Sequence, residues 1–306
     1  MKTIALASGF KLTTYALPPA NFDIDRANDE DRAAYGFARL PRVGAPLDVW
    51  LGSTARRCWF VELGFPRAAR RKSLPRLNVN HANATKSGTW SGGITFPSSG
   101  DRFQWVHGTW TMPTVAPPPA AQDGDKYCAS AWVGIDGDVG IDSNGSPDVL
   151  QAGCDADVNL SNGITQHQYL PWWEWFPGDT CSITKISVSA GDVLDCLISV
   201  QAGSTAAASI LLGNHTTNVA LTFSIVAPAG TSLVGNCAEW IIEAFGSLGT
   251  LAPYGHVDFS DCNAGTVGGQ TITAGQGAVI NMVDATDQIV SAGTIINPTE
   301  VQVRYA

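Results

Sequence analysis

The chain has 306 residues, 44% hydrophobic and 15% charged, enough for one large β-domain or two smaller ones with a sizeable core. Its net charge of −9 is unevenly spread: residues 1–80 hold 13 Lys and Arg against 7 Asp and Glu (+6), residues 81–306 hold 5 against 20 (−15). So cation-poor a body excludes nucleic acid as a partner, and the absence of any apolar run near 18 residues excludes a spanning helix and a membrane partner.

In chain order, Met1–Phe10 is a short apolar stretch broken by Lys11, too short for a clear signal peptide. A short helix is expected over Asn28–Phe37, capped by Asn28 or Asp29. Val49-Trp50-Leu51 and Cys58-Trp59-Phe60-Val61 read as strands or docking segments. The basic run Arg67–Arg76 reads either as a solvated linker or as the processing region of a pro-segment. Residues 1–80 are therefore taken as a basic leader and residues 81–306 as the functional domain.

From Lys86 onward, short period-two stretches alternate with Gly, Pro, Asn, Asp and Ser. Strands are expected over Trp90–Thr95, Phe103–Met112, Ala129–Ile135, Val149–Cys154, Tyr169–Phe176, Ile183–Val188, Val193–Val200 and Ala206–Leu212. Further strands are expected over Asn218–Ile225, Cys237–Ile242, His256–Phe259, Ala278–Val283 and Glu300–Tyr305. So many strands with hardly a helical signal mean an all-β sandwich or barrel. Cys128, Cys154, Cys181, Cys196, Cys237 and Cys262 make an even set that fits disulfides in an oxidising compartment; Cys181 and Cys196 flank an expected hairpin. Asn83, Asn159 and Asn214 head glycosylation sequons.

The sequence lacks His-Glu-x-x-His, Cys-x-x-Cys, Gly-x-Ser-x-Gly and paired Asp-Thr-Gly signatures, and its five His residues have no metal-type spacing. What stands out is aromatic and acidic. Trp132-Val133-Gly134-Ile135-Asp136-Gly137, Leu150-Gln151-Ala152-Gly153-Cys154-Asp155 and Trp172-Trp173-Glu174-Trp175-Phe176 contain no Lys or Arg. Downstream, Ala238-Glu239-Trp240-Ile241-Ile242-Glu243 places Glu239, Ile241 and Glu243 on one strand face. Two carboxylates on one face of a β-protein are costly to bury unless they have partners or a job.

With Trp90-Ser91-Gly92-Gly93 upstream and Val257-Asp258-Phe259-Ser260-Asp261-Cys262 downstream, these stretches fall in the order found in the glutamic peptidases (eqolisins, peptidase family G1). The chain resembles that family over roughly residues 87 to 306. The resemblance implies an antiparallel, concanavalin A-like (glucanase-like) β-sandwich: two bent sheets with a concave substrate cleft. It implies an acid, pepstatin-insensitive endopeptidase with Gln151 and Glu243 as catalytic residues and no cofactor or metal. Trp90, Trp132 and Trp172 match cleft-lining positions, and Asp136, Asp155 and Glu174 match acidic positions that hold the dyad. Gly153, Phe176 and Glu239 complete the expected substrate-binding set. Ala152 stands where Thr often follows the Gln, and Ala244 where Asp often follows the Glu. A removable basic pro-segment acting as an intramolecular inhibitor, polypeptide substrates, a monomeric state and an extracellular, zymogen-type life also follow from the likeness.

The proposed chemistry is coherent. A carboxylate can take a proton from water and return it to the departing amine, while a neutral amide orients the water and donates to the oxyanion. A Glu in a dry aromatic cleft would titrate upward, which argues for activity on the acidic side of neutrality, and the resemblance implies a range below about pH 5. Two other readings stand beside it: a lectin-like carbohydrate-binding sandwich, and a glycoside hydrolase using Glu174 and Glu243, which needs them about 5 to 10 Å apart.

Overall fold

The computed structural model describes residues 1–16, 18–19, 22, 27–36, 84–138, 148–245 and 250–306, together with the backbone of 59–60, 68–69 and 77–78. The first 80 residues contribute β1 (Lys2–Ala5), β2 (Lys11–Thr14), α1 (Asp29–Ala34), β3 (Trp59–Phe60), β4 (Ala68–Ala69) and β5 (Leu77–Asn78). Asn28 caps α1 as expected, its side chain accepting from the Asp31 N–H at 2.8 Å. Next come β6 (Ala84–Ser87), β7 (Trp90–Thr95), β8 (Phe103–Thr111), β9 (Lys126–Asp136), β10 (Val149–Ser161), β11 (Ile164–Phe176) and β12 (Thr180–Ser182). The remainder is β13 (Val193–Val200), β14 (Ala207–Asn214), β15 (Val219–Val226), β16 (Ala238–Glu243), β17 (His256–Thr266), β18 (Thr271–Thr273), β19 (Ala278–Val283), β20 (Ile289–Asn297) and β21 (Glu300–Tyr305).

One layer runs β12–β11–β10–β9–β16–β7–β19, antiparallel throughout. β19 pairs with β7 through Ala278–Ile280 and with β20 through Asn281–Val283, so it carries the hydrogen bonding from this layer into the next. The second layer continues β20–β21–β17–β8–β13–β14–β15. This is the antiparallel sandwich that the strand pattern predicts.

The main core lies between the layers. From the first layer Leu150, Val133, Ile135, Trp173, Trp175, Trp240 and Ile242 point inward; Trp110, Leu194, Ile198, Leu212, Phe223 and Phe259 meet them from the second. Trp240 is the clearest fit: its indole N–H donates to the His107 carbonyl at 2.8 Å. Its ring passes over Gly108, where a Cβ would fall 2.6 Å from Cδ1.

Residues 2–14 form a hairpin paired with β15, and they put Phe10 and Leu12 into the main core. β3 runs parallel to β15, β4 antiparallel to β12, and β5 antiparallel to β6. Val49–Leu51 and most of Arg67–Arg76 lie outside the described residues.

Three expectations need correction. No strand forms over Ile183–Val188; Ile183 and Ile186 are buried three residues apart, which is not strand spacing, and pairing falls instead on Thr180–Ser182. β6, β18 and β20 were not expected, because Lys86, Thr271 and the Gly293 interruption blur their alternation. The expected Cys181–Cys196 bridge is not formed: both are buried free thiols, as are Cys237 and Cys262. Cys181 sits on β12 of one layer and Cys196 on β13 of the other, so they do not flank a hairpin. Of the sequons, Asn214 is fully buried and its amide donates to the Ser187 carbonyl and to Asp192, which leaves no room for a glycan.

Trp240→Ala should cost about 3–5 kcal/mol, because it removes a buried ring and opens a cavity between the layers. Urea denaturation of the variant against the parent chain measures it.

Candidate active site

The first layer has a second buried face, turned away from the main core. Its rows follow from the strand register. One row reads Glu174, Gln151, Gly134, Glu239, Ile94 across β11, β10, β9, β16 and β7. The next reads Trp172, Gly153, Trp132, Ile241, Gly92. A third reads Asp155, Ser130, Glu243, Trp90 across β10, β9, β16 and β7. Of the eleven residues expected at the site, nine therefore share this patch. Phe176 and Asp136 lie at its end, where both pair with Val149.

At the centre is Trp132. Gly153 leaves the space it needs: a Cβ there would sit 2.5 Å from Trp132 Cβ and 2.1 Å from the Ala131 carbonyl oxygen. The benzo ring covers Gly134, where a Cβ would lie 2.8 Å from Cζ3. The pyrrole side points the other way, and Nε1 donates to Glu243 Oε2 at 3.0 Å. Trp90 meets this indole edge-on, centroids 4.8 Å apart. Trp90, Ile94, Trp132, Trp172, Cys237, Ile241 and Ile280 form a small apolar cluster separate from the main core.

The polar groups sit in this apolar setting with their partners assigned. Gln151 Nε2 donates to Glu174 Oε2 at 2.7 Å, and Thr180 Oγ1 donates to Glu174 Oε1 at 2.8 Å. Ser130 Oγ donates to Asp155 at 2.6 Å and accepts from Trp172 Nε1 at 3.2 Å. The Cys237 thiol donates to Glu239 Oε1 at 3.1 Å. Asp136 turns from the patch and takes the backbone N–H groups of Val234, Gly235 and Asn236 at 2.6–2.8 Å. It thereby fixes the loop that leads into β16. Gln151, Glu174, Glu239 and Glu243 are each at most 2% exposed.

Three buried polar atoms on this face have no hydrogen-bond partner among the described residues: Gln151 Oε1, Glu239 Oε2 and Trp90 Nε1. Each costs about 1–3 kcal/mol if left unmet. Gln151 and Glu243 are two strands apart and four residues offset. Their backbones are therefore about 10 Å apart across the sheet and about 13 Å along it. Their side chains flank the Trp132 indole.

A family model, the peptidase A4 family, matches residues 88–305. The chain belongs to this family. It is 30% identical over 251 residues to aspergillopepsin-2 of Aspergillus niger, covering 76% of this chain and 83% of that protein. It is 31% identical over 243 residues to scytalidopepsin B of Scytalidium lignicola, covering 75% and 84%. Among solved structures, scytalido-glutamic peptidase with a peptide-based transition-state analogue superposes at a TM-score of 0.56, with 26% identity over 72% of this chain and 98% of that one. A second structure of that enzyme, holding a transition-state analogue inhibitor, gives a TM-score of 0.57 at 24% identity and supports the fold.

As an A4 peptidase the chain is a peptide hydrolase, and its resemblance to the glutamic peptidases holds. Sequence reasoning did not place Thr180, Gly134 or Cys237 at the site. Gly134 was legible, as a glycine two residues from Trp132 on one strand face. Thr180 was not, because only the return of β12 along β11 brings it beside Glu174.

Burial drives the acidic patch toward neutrality. Glu239 is held well above the ordinary Glu range by desolvation, which outweighs the Cys237 thiol and is reinforced by Asp136 and Asp138. Asp136 is pushed to about 7 by desolvation, against the N–H groups of Asn236, Val234 and Gly235 and with help from Asp148. A carboxyl raised in the folded state binds its proton more tightly there than when unfolded. Its contribution is full below the unfolded value and is lost as pH rises through the folded one. For Asp136 that window runs from 3.8 to about 7. Glu239→Gln should remove Glu239's share: stability measured by urea from pH 4 to 7 should fall less steeply than in the parent chain, by up to about 1.4 kcal/mol per pH unit for one proton.

Proposed function

We propose that this peptidase is an acid endopeptidase in which Glu243 handles the proton and Gln151 the oxyanion. The observation that carries the reading is the anchoring of both groups on either side of one indole. Glu174 holds one end of the Gln151 amide, whose Oε1 has no partner among the described residues, while Trp132 N–H fixes Oε2 of Glu243. In this reading a peptide lies across Trp132. Glu243, ionised, takes a proton from a water whose oxygen attacks the scissile carbonyl carbon. The second N–H of Gln151 donates to the oxygen as it becomes negative, without adding a charge. Glu243 then gives the proton to the amide nitrogen, the C–N bond breaks, and the carboxyl returns to its ionised form. No covalent intermediate is needed.

An acidic working range fits the patch. Glu174, Asp155, Glu239 and Glu243 project from adjoining strands of one face, and their mutual repulsion fades as some of them protonate. The 20 acidic residues against 5 basic ones in residues 81–306 suit an acidic extracellular medium for the same reason. The glycosidase reading loses support here. Both oxygens of Glu174 already receive donors, from Gln151 and Thr180, so it is held as an acceptor rather than poised as the proton-donating acid that reaction needs.

The leader is read as an intramolecular inhibitor. Its strands reach both ends of the layer that carries the patch: β4 pairs with β12 at one edge, and β5 pairs with β6 beside β19 at the other. The seven residues joining β4 to β5 contain Arg70, Arg71, Lys72 and Arg76, cations suited to an acidic face at neutral pH. Protonation of that face would loosen them, and cleavage within Arg67–Arg76 would make the change permanent.

Digestion of a denatured protein by the full chain across pH 2 to 7, with and without pepstatin, tests both readings. The expected result is pepstatin-resistant cleavage confined to acid pH, absent in Glu243→Gln, with mass spectrometry showing loss of the leader within Arg67–Arg76. Wild-type activity in the Glu243→Gln variant would sink the catalytic assignment. Full activity with an intact, uncut leader would sink the inhibitor.

A further inference from the structure

Gln151 can serve an oxyanion only if its amide faces one way. An amide has two nearly isosteric ends, and a carboxylate beside one of them settles which end carries the N–H groups. Here that neighbour is Glu174, whose Oε2 accepts one N–H of Nε2 at 2.7 Å and leaves the second N–H of the same nitrogen for an oxyanion. A carboxylate can rotate, however, and one that gains a proton can donate to Oε1 and turn the amide over. Something must hold Glu174 in turn.

Thr180 is placed to do so. After the cis Phe176–Pro177 bond and the Gly178 turn, β12 runs back along β11, pairing Ser182 with Trp172 and Cys181 with Trp173. The next position in that register sets Thr180 opposite Glu174. Its side chain is 1% exposed, and its hydroxyl donates to Glu174 Oε1 at 2.8 Å. With both oxygens receiving a donor, the plane of the carboxylate is fixed.

We infer that Thr180 is a positioning residue that fixes, through Glu174, where the Gln151 amide nitrogen sits and so where its second N–H points. The inference rests on the assignment of Gln151 as the oxyanion donor. It also ties the leader to the chemistry, since the backbone of Thr180 pairs with Ala69 of β4. A residue that turns the amide affects the transition state more than substrate binding, so its loss belongs in kcat.

The test compares Thr180→Val, Thr180→Ser and Gln151→Ala in the full chain, using a denatured protein or quenched-fluorescence peptide at acid pH after the leader has been lost. Thr180→Val keeps the shape without the hydroxyl. It should lower kcat about tenfold or more with KM changed less than about twofold, while Thr180→Ser restores kcat to within about threefold. Should Thr180→Val not fold, Thr180→Ala carries the same expectation. Unchanged kcat in Thr180→Val alongside an inactive Gln151→Ala would overturn the role of Thr180 and leave the mechanism standing. Equal loss in Val and Ser variants, with a matching fall in melting temperature, would make Thr180 a packing residue and also overturn it. Activity retained by Gln151→Ala would instead remove the mechanism on which the inference rests.

Discussion

The site depends on one packing contact: Trp132 seated in the space left by Gly153 and Gly134. Gly153 on β10 lets the backbone and Cβ of Trp132 approach closely, and Gly134, two residues on along β9, leaves room for its benzo ring. That posture does three things at once. It sets the ring between Gln151 and Glu243, aims a fixed N–H donor at Glu243, and centres the small apolar cluster on this face. A side chain at either glycine would tilt the ring and move all three together.

Around that contact, the first layer is buried on both faces, and the two faces are different materials. Facing the second layer it is hydrocarbon and indole; on the other side, acids and amides alternate with three tryptophans. The acids are tolerated because most have assigned partners: Thr180 and Gln151 for Glu174, Ser130 for Asp155, Trp132 for Glu243 and three backbone N–H groups for Asp136. Burial still pushes Glu239 and Asp136 toward their neutral forms, so the patch is best accommodated in acid.

The second layer has a different solution to the same problem. Asp195 is buried among strands, where desolvation would raise it, yet His107 and His215 outweigh that penalty and hold it at about 2. A carboxylate kept ionised by imidazoles contributes stability above its unfolded value and loses it only as pH falls from 3.8 through about 2. The two layers thus carry carboxyls with opposite pH responses.

Much of this was written in the one-dimensional pattern. Period-two alternation in Ala131–Ile135, Trp172–Phe176 and Glu239–Glu243 determined both the strands and the faces, because side-chain direction on a strand alternates whatever the strand pairs with. It therefore put Glu239 and Glu243 together, opposite Trp240 and Ile242, before any neighbour was known. Which strands sit side by side is not a local property. The register that slots Trp132 between Gly153 and Ile241, the placing of Cys181 and Cys196 on separate layers, and the return of β12 that delivers Thr180 to Glu174 all follow from pairings between distant segments. Those were decided only when the layers closed on a common core, since a shift of one residue in any of them would have sent the acids inward and the tryptophans out.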